Sequence, residues 1–110
     1  MIDFKLKHKT ERDVRRFLLE LGDTTDHVAS EIRSYPLKGR TYNAADCPIA
    51  QYLNLRLRRN NTHNKHMVFV APINTLVNLN GKEAWIQNPP AVREFIVNFD
   101  HMDYPDLVVV

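Results

Sequence analysis

The chain has 110 residues, 44% of them hydrophobic and 25% charged, a composition that fits one globular domain with its own core and excludes a low-complexity chain. Its net charge is +2 and it holds a single cysteine, so no internal disulfide can form and a reducing compartment is expected. No run approaches the roughly 18 apolar residues that span a bilayer, and the charged opening "MIDFKLKHK" lacks the apolar stretch of a signal peptide, so one cytoplasmic domain over residues 1–110 is expected.

Ile2, Phe4 and Leu6 alternate with Asp3, Lys5 and Lys7, the period of a short half-buried strand. The period then changes. Thr10 can cap a helix, with Asp13 completing a variant of the capping box, and Val14, Phe17, Leu18 and Leu21 share one face until Gly22 stops it. Thr24 or Thr25 can cap a second helix, with Val28, Ile32 and Tyr35 inward and Pro36 at its end. After the loop "PLKGRTYNAA", the spacing of Ile49, Tyr52, Leu53 and Leu57 predicts a third helix over 46–58, with Asp46 as its cap and Pro48 setting the first turn. The polar segment "RRNNTHNKH" leads into "MVFVAPI", a short β-prone run. A hairpin over 75–87 follows, since Asn80 and Gly81 both tolerate the positive φ of a two-residue type I′ turn. Pro89 and Pro90 open a closing helix whose Val92, Phe95, Ile96 and Phe99 mark a buried face. The tail "YPDLVVV" is β-prone and can add a strand to the sheet or to a partner. The expected class is α+β: three N-terminal helices, a small antiparallel sheet and a closing C-terminal helix. The five phenylalanines and Trp85 are expected in its core.

Candidate chemistry is sparse. Cys47 stands at a helix start, where partial positive charge stabilises a thiolate, but the adjacent Asp46 carboxylate works against a second negative charge. A small apolar anchor is the expectation, and a thiol enzyme the alternative it competes with. His63 and His66 with Cys47, or Asp100, His101 and Asp103, lack the paired spacing of zinc sites, and the second group lacks the glycine of a calcium loop. No phosphate-binding glycine loop and no G-x-S-x-G elbow is present. The chain is therefore expected to be no enzyme, and to use no metal or small-molecule cofactor.

Binding is better supported. Residues 1–46 carry nine Lys/Arg and eight Asp/Glu, whereas 47–82 carry five basic residues and no acidic one. Residues 83–110 reverse this, with Arg93 against Glu83, Glu94, Asp100, Asp103 and Asp106. Segregated charge and a β-prone end suit a small regulatory binding protein acting on an unidentified protein partner or a second copy of itself. In that reading Tyr104, Asp106 and Leu107 make contacts at the C-terminus, and Gln51, Asn54, Arg56, Arg58, Arg59, Lys65 and Lys82 form the other binding surface. The same residues support an alternative. Gln51, Asn54 and Arg58 share a helix face and are residue types that read base edges, Arg56 and Arg59 can reach phosphates, and the Asn80-Gly81-Lys82 hairpin is similar to the wing of a winged-helix DNA-binding regulator. Against it, the loop before the third helix is longer than a helix-turn-helix turn, and the arginines gather at the helix's C-terminal end.

The run "CPIAQYL" and the ending "PPAVREFIVNFDHMDYPDL" together resemble a group of short uncharacterised proteins of actinobacteria and their phages. Cys47, Pro48, Ala50, Tyr52, Leu53, Phe99, Asp100, Tyr104, Pro105 and Leu107 hold the matching positions. Met102 departs from the pattern, standing where a glycine or small residue is expected. The resemblance spans about residues 46–107 and implies a phage or actinobacterial setting rather than an activity.

Overall fold

A computed structural model describes residues 10–58, 67–79 and 81–109. Among these, four helices, α1 (Glu11–Leu19), α2 (Thr25–Ser34), α3 (Pro48–Arg58) and α4 (Pro90–Asp100), combine with three strands, β1 (Met67–Val70), β2 (Asn74–Leu79) and β3 (Lys82–Gln87). The strands lie between α3 and α4 in the chain and form one antiparallel sheet in the order β1-β2-β3. The α+β class and the closing helix are as expected. The strand expected at residues 2–6, the polar segment 59–66 and the Asn80 half of the hairpin turn lie outside the described residues. Gly81 has a φ of +90°, and its N–H donates to Asn78 Oδ1 at 2.9 Å.

The helix starts follow from local chemistry. Asp13 Oδ2 accepts from the Thr10 N–H at 2.8 Å, and Thr24 Oγ1 accepts from the His27 N–H at 3.1 Å, each satisfying a donor at a helix start. The third start differs from expectation. Cys47 is itself the capping residue of α3, its Sγ accepting from the Ala50 N–H at 3.4 Å and Pro48 following as the first helical residue. Asp46, expected to cap, is occupied elsewhere: its Oδ2 accepts from Arg40 Nε at 3.0 Å and its Oδ1 from Gln51 Nε2 at 3.2 Å.

All four helices contribute to one core. Val14, Leu18, Leu21, Val28, Ile32, Ile49, Leu53, Leu57, Phe95 and Phe99 are fully buried in it, joined from the sheet by Val68, Val70, Val77 and Ile86. α2 packs on α4, α3 on β1 and on α1, and α1 on β3. Between α1 and α3, Tyr52 Oη donates to the Phe17 carbonyl at 2.7 Å, and the Arg56 guanidinium lies 4.1 Å from the centre of the Phe17 ring. A second polar fixture ties the end of β3 to β2 and to the β1–β2 connection. Asn88 is buried; its Oδ1 accepts from Thr75 Oγ1 at 2.6 Å, while its Nδ2 donates to the carbonyls of Ala71 and Pro72 at 2.7 and 3.0 Å.

The C-terminal tail forms no strand of the sheet. After Tyr104 it makes a 3-10 turn at Pro105–Leu107, which buries Leu107, and Val108 then makes a single parallel bridge to Gly39. Gly39 N donates to the Leu107 carbonyl at 2.9 Å and Val109 N to the Gly39 carbonyl at 2.8 Å. The close approach needs glycine at position 39, because a Cβ would collide with the Asp46 carbonyl and the Pro48 ring.

α4 ends in a Schellman motif. Met102 N donates to the Phe99 carbonyl at 3.0 Å and Asp103 N to the Asn98 carbonyl at 2.9 Å, which requires Met102 to sit at a φ of +68°. Its side chain is half exposed, so removing it costs little packing. Met102→Gly is expected to stabilise the protein by about 1 kcal/mol, read as a rise of roughly 3–6 °C in the thermal midpoint. An unchanged or lowered midpoint would refute the strain at this position.

Candidate functional site: the open face of the sheet

A strand presents alternate residues to opposite sides, and in this sheet the sides differ sharply. Val68, Val70, Thr75, Val77, Leu79 and Ile86 face the helices and are buried. The opposite face carries Phe69 on β1, Leu76 on β2 and Trp85 on β3. These three are in register, Phe69 opposite Leu76 and Leu76 opposite Trp85, so they form one apolar row across the full width of the sheet. Trp85 is 63% exposed and Phe69 37% exposed. This corrects the expectation that Trp85 and every phenylalanine serve the core, which holds for Phe17, Phe95 and Phe99.

Polar residues frame the row. On one side Asn74 lies opposite Gln87; on the other Asn78 lies opposite Glu83. Glu83 is the one ionisable group on this face among the described residues, and it makes no ion pair among them. A second concavity, a cleft of about 370 Å³, lies between α1 and the β3–α4 connection, lined by Leu18, Leu19, Gln87, Pro89 and Pro90 with Arg15 and Arg93 at its sides.

The residues singled out in the sequence are placed differently. Gln51 turns its amide back onto the loop before α3, where Nε2 donates to the carbonyls of Lys38 and Asp46 and to the Asp46 carboxylate. Arg56 is bound by its neighbours: its guanidinium donates to Tyr52 Oη at 2.9 Å and Glu20 Oε1 at 2.8 Å while covering the Phe17 ring. Both are structural fixtures of the helical layer. Asn54 is half-buried on α3, and Lys82 is exposed at the start of β3, on the side of the strand away from Trp85. Arg59 and Lys65 lie outside the described residues, as does the side chain of Arg58.

Each residue of the C-terminal trio has a partner within the chain, Leu107 buried, Tyr104 half-buried and Asp106 exposed. Tyr104 stacks on Phe95 with ring centres 5.2 Å apart, and its hydroxyl donates to Asp26 Oδ1 at 3.2 Å. Arg33 donates to both Asp106 oxygens, at 2.7 and 3.2 Å, holding that carboxyl below its ordinary range and raising the arginine. Leu107 is core. Among the described residues, the ion pair that the acidic end makes is with α2, between Asp106 and Arg33.

Cys47 is buried, and loss of hydration pushes its thiol from an ordinary value of 9.0 up to about 11, against the lowering effect of the Ala50 and Ile49 N–H groups. Burial and this shift both favour the protonated thiol near neutrality. No helix among the described residues is long and apolar enough to cross a membrane. No protein-family model, no curated protein and no solved structure matches the chain.

The signal for the apolar row is present in "KEAWIQ". Trp85 shares its strand parity with Glu83 and Gln87, whereas Ala84 and Ile86 share the other, so the tryptophan belongs to the polar side.

The raised thiol generates a prediction with a fixed sign. The folded state holds the Cys47 proton more tightly than the unfolded chain, so its contribution is complete below about pH 9 and is lost as pH rises through about 11, on the order of 2 kcal/mol in all. Alkylation at about pH 8 should accordingly be slow in the native protein and rapid on unfolding, as followed by mass spectrometry. Rapid native labelling would refute the buried, protonated thiol.

Proposed function

We propose that the protein is a small, non-catalytic binding domain that docks a protein partner on the open face of its sheet. The observation that carries this reading is the Phe69–Leu76–Trp85 row, with Trp85 63% exposed. Large aromatics supply much of the burial that stabilises a small domain, and leaving a tryptophan outside forgoes about 2 kcal/mol of it. Tryptophan is also the residue type most enriched among the few that dominate binding energy at protein interfaces. A flat apolar row with an amide and carboxylate rim has the layout of such an interface, an apolar centre ringed by polar groups.

The nucleic-acid alternative draws less support. Phosphate binding needs cations beside the stacking surface, and among the described residues the open face carries none. Arg56 and Gln51, two of the residues that reading depends on, are held by internal partners. A reducing, cytoplasmic setting suits a chain whose one thiol is free.

Trp85→Ser tests the reading. The variant should lose capture of the partner from a lysate of the cells that make the protein, while its unfolding free energy changes by no more than about 1 kcal/mol. Retained capture at full strength would sink the proposal.

A further inference from the structure

The docking surface has chemistry that selects its partner, and this inference rests on the reading above. Beside the apolar row the open face has a shallow hollow of about 30 Å³, bounded by Phe69, Leu76, Asn78 and Glu83. The register places Glu83 opposite Asn78 and two residues before Trp85, on the same side of β3. A carboxylate thus stands at the corner between an aliphatic and aromatic floor and an exposed indole. Lys82, its neighbour in the chain, points to the other side of the strand and forms no ion pair with it.

We infer that this corner receives an arginine or lysine side chain, so that the docked partner is a segment alternating apolar and basic residues. The hollow is small and open to solvent, so the methylenes of a side-chain stem can lie across it. Long basic side chains lay such stems along apolar surface while their charged ends reach outward. Here the end reaches the Glu83 carboxylate, with the Trp85 ring beside it to attract the cation. Charge decides between candidate partners: an acidic segment would meet Glu83 with like charge, and a purely apolar one would leave it unpaired against the docked chain.

Trp85 is the only tryptophan in the chain, so its fluorescence reports on this corner directly. The folded protein is titrated with the peptides Leu-Arg-Val-Arg-Leu, Leu-Gln-Val-Gln-Leu and Leu-Glu-Val-Glu-Leu. The arginine peptide should bind about threefold to fivefold more tightly than the glutamine peptide, and the glutamate peptide most weakly. Glu83→Gln, an exposed and nearly isosteric change, should abolish the preference for arginine without shifting the unfolding midpoint. Equal binding of the arginine and glutamine peptides would overturn the charge selectivity and leave the docking reading standing. If no peptide alters the fluorescence, because a second copy holds the corner or because nothing binds there, the inference falls together with that docking reading. A preference for arginine that survives Glu83→Gln would overturn the role of the carboxylate.

Discussion

The exposed apolar row follows from the placement of the helices relative to a three-stranded sheet. Side chains of a strand alternate between two faces, and a single helical layer can bury only one of them. Val68, Val70, Val77 and Ile86 meet that layer, so Phe69, Leu76 and Trp85 necessarily point away from it. Moving the row inward would require a one-residue slip of each strand. That slip would expose the valines and bring Glu83, Gln87 and Asn78 against the core, at a cost far above any gain from burying the tryptophan.

The helical layer is held by polar contacts as much as by its aliphatic core. Tyr52 is almost wholly buried, and its hydroxyl is satisfied by donating to Phe17 and accepting from Arg56. Burial also raises that phenol to about 12, so the arrangement keeps its proton at any ordinary pH. Arg56 adds an attraction to the Phe17 ring on the order of 1 kcal/mol, and its link to the exposed Glu20 carboxylate adds little beyond that. An arginine used in this way is unavailable to a phosphate. Residue type on a helix face therefore says less about binding than the neighbours that compete for the same donors.

Much of this architecture can be read from the chain, and the parts that cannot have physical causes. The first two helices announce themselves through Thr10, Asp13 and Thr24 at their starts, and the last through its prolines, because capping is local chemistry. The pairing of β2 with β3 joins neighbours in the chain, and Gly81 takes a positive φ. The start of α3 is one residue off because Asp46 is drawn away by Arg40 and Gln51, contacts set by the path of the preceding loop. In "MVFV" four consecutive apolar residues hide which two face the helices, and only the pairing with β2 resolves it. The tail misleads most. Val108 and Val109 favour strands intrinsically, but Arg33 fixes Asp106 and the core takes Leu107, leaving the chain room for only a single bridge to Gly39.

Anchoring the tail also separates the two tasks of the domain. Tyr104, Asp106 and Leu107 are committed to α2, α4 and the core, so a partner engaging them would have to undo native contacts before it gained its own. Among the described residues, Phe69, Leu76 and Trp85 carry no such polar commitment. A side chain already exposed on a rigid sheet pays no unfolding cost to bind and little ordering entropy, since three antiparallel strands fix its position. The same separation loosens the usual trade between stability and binding: substitutions along the open row can tune recognition while the valines beneath it keep the sheet on its helices.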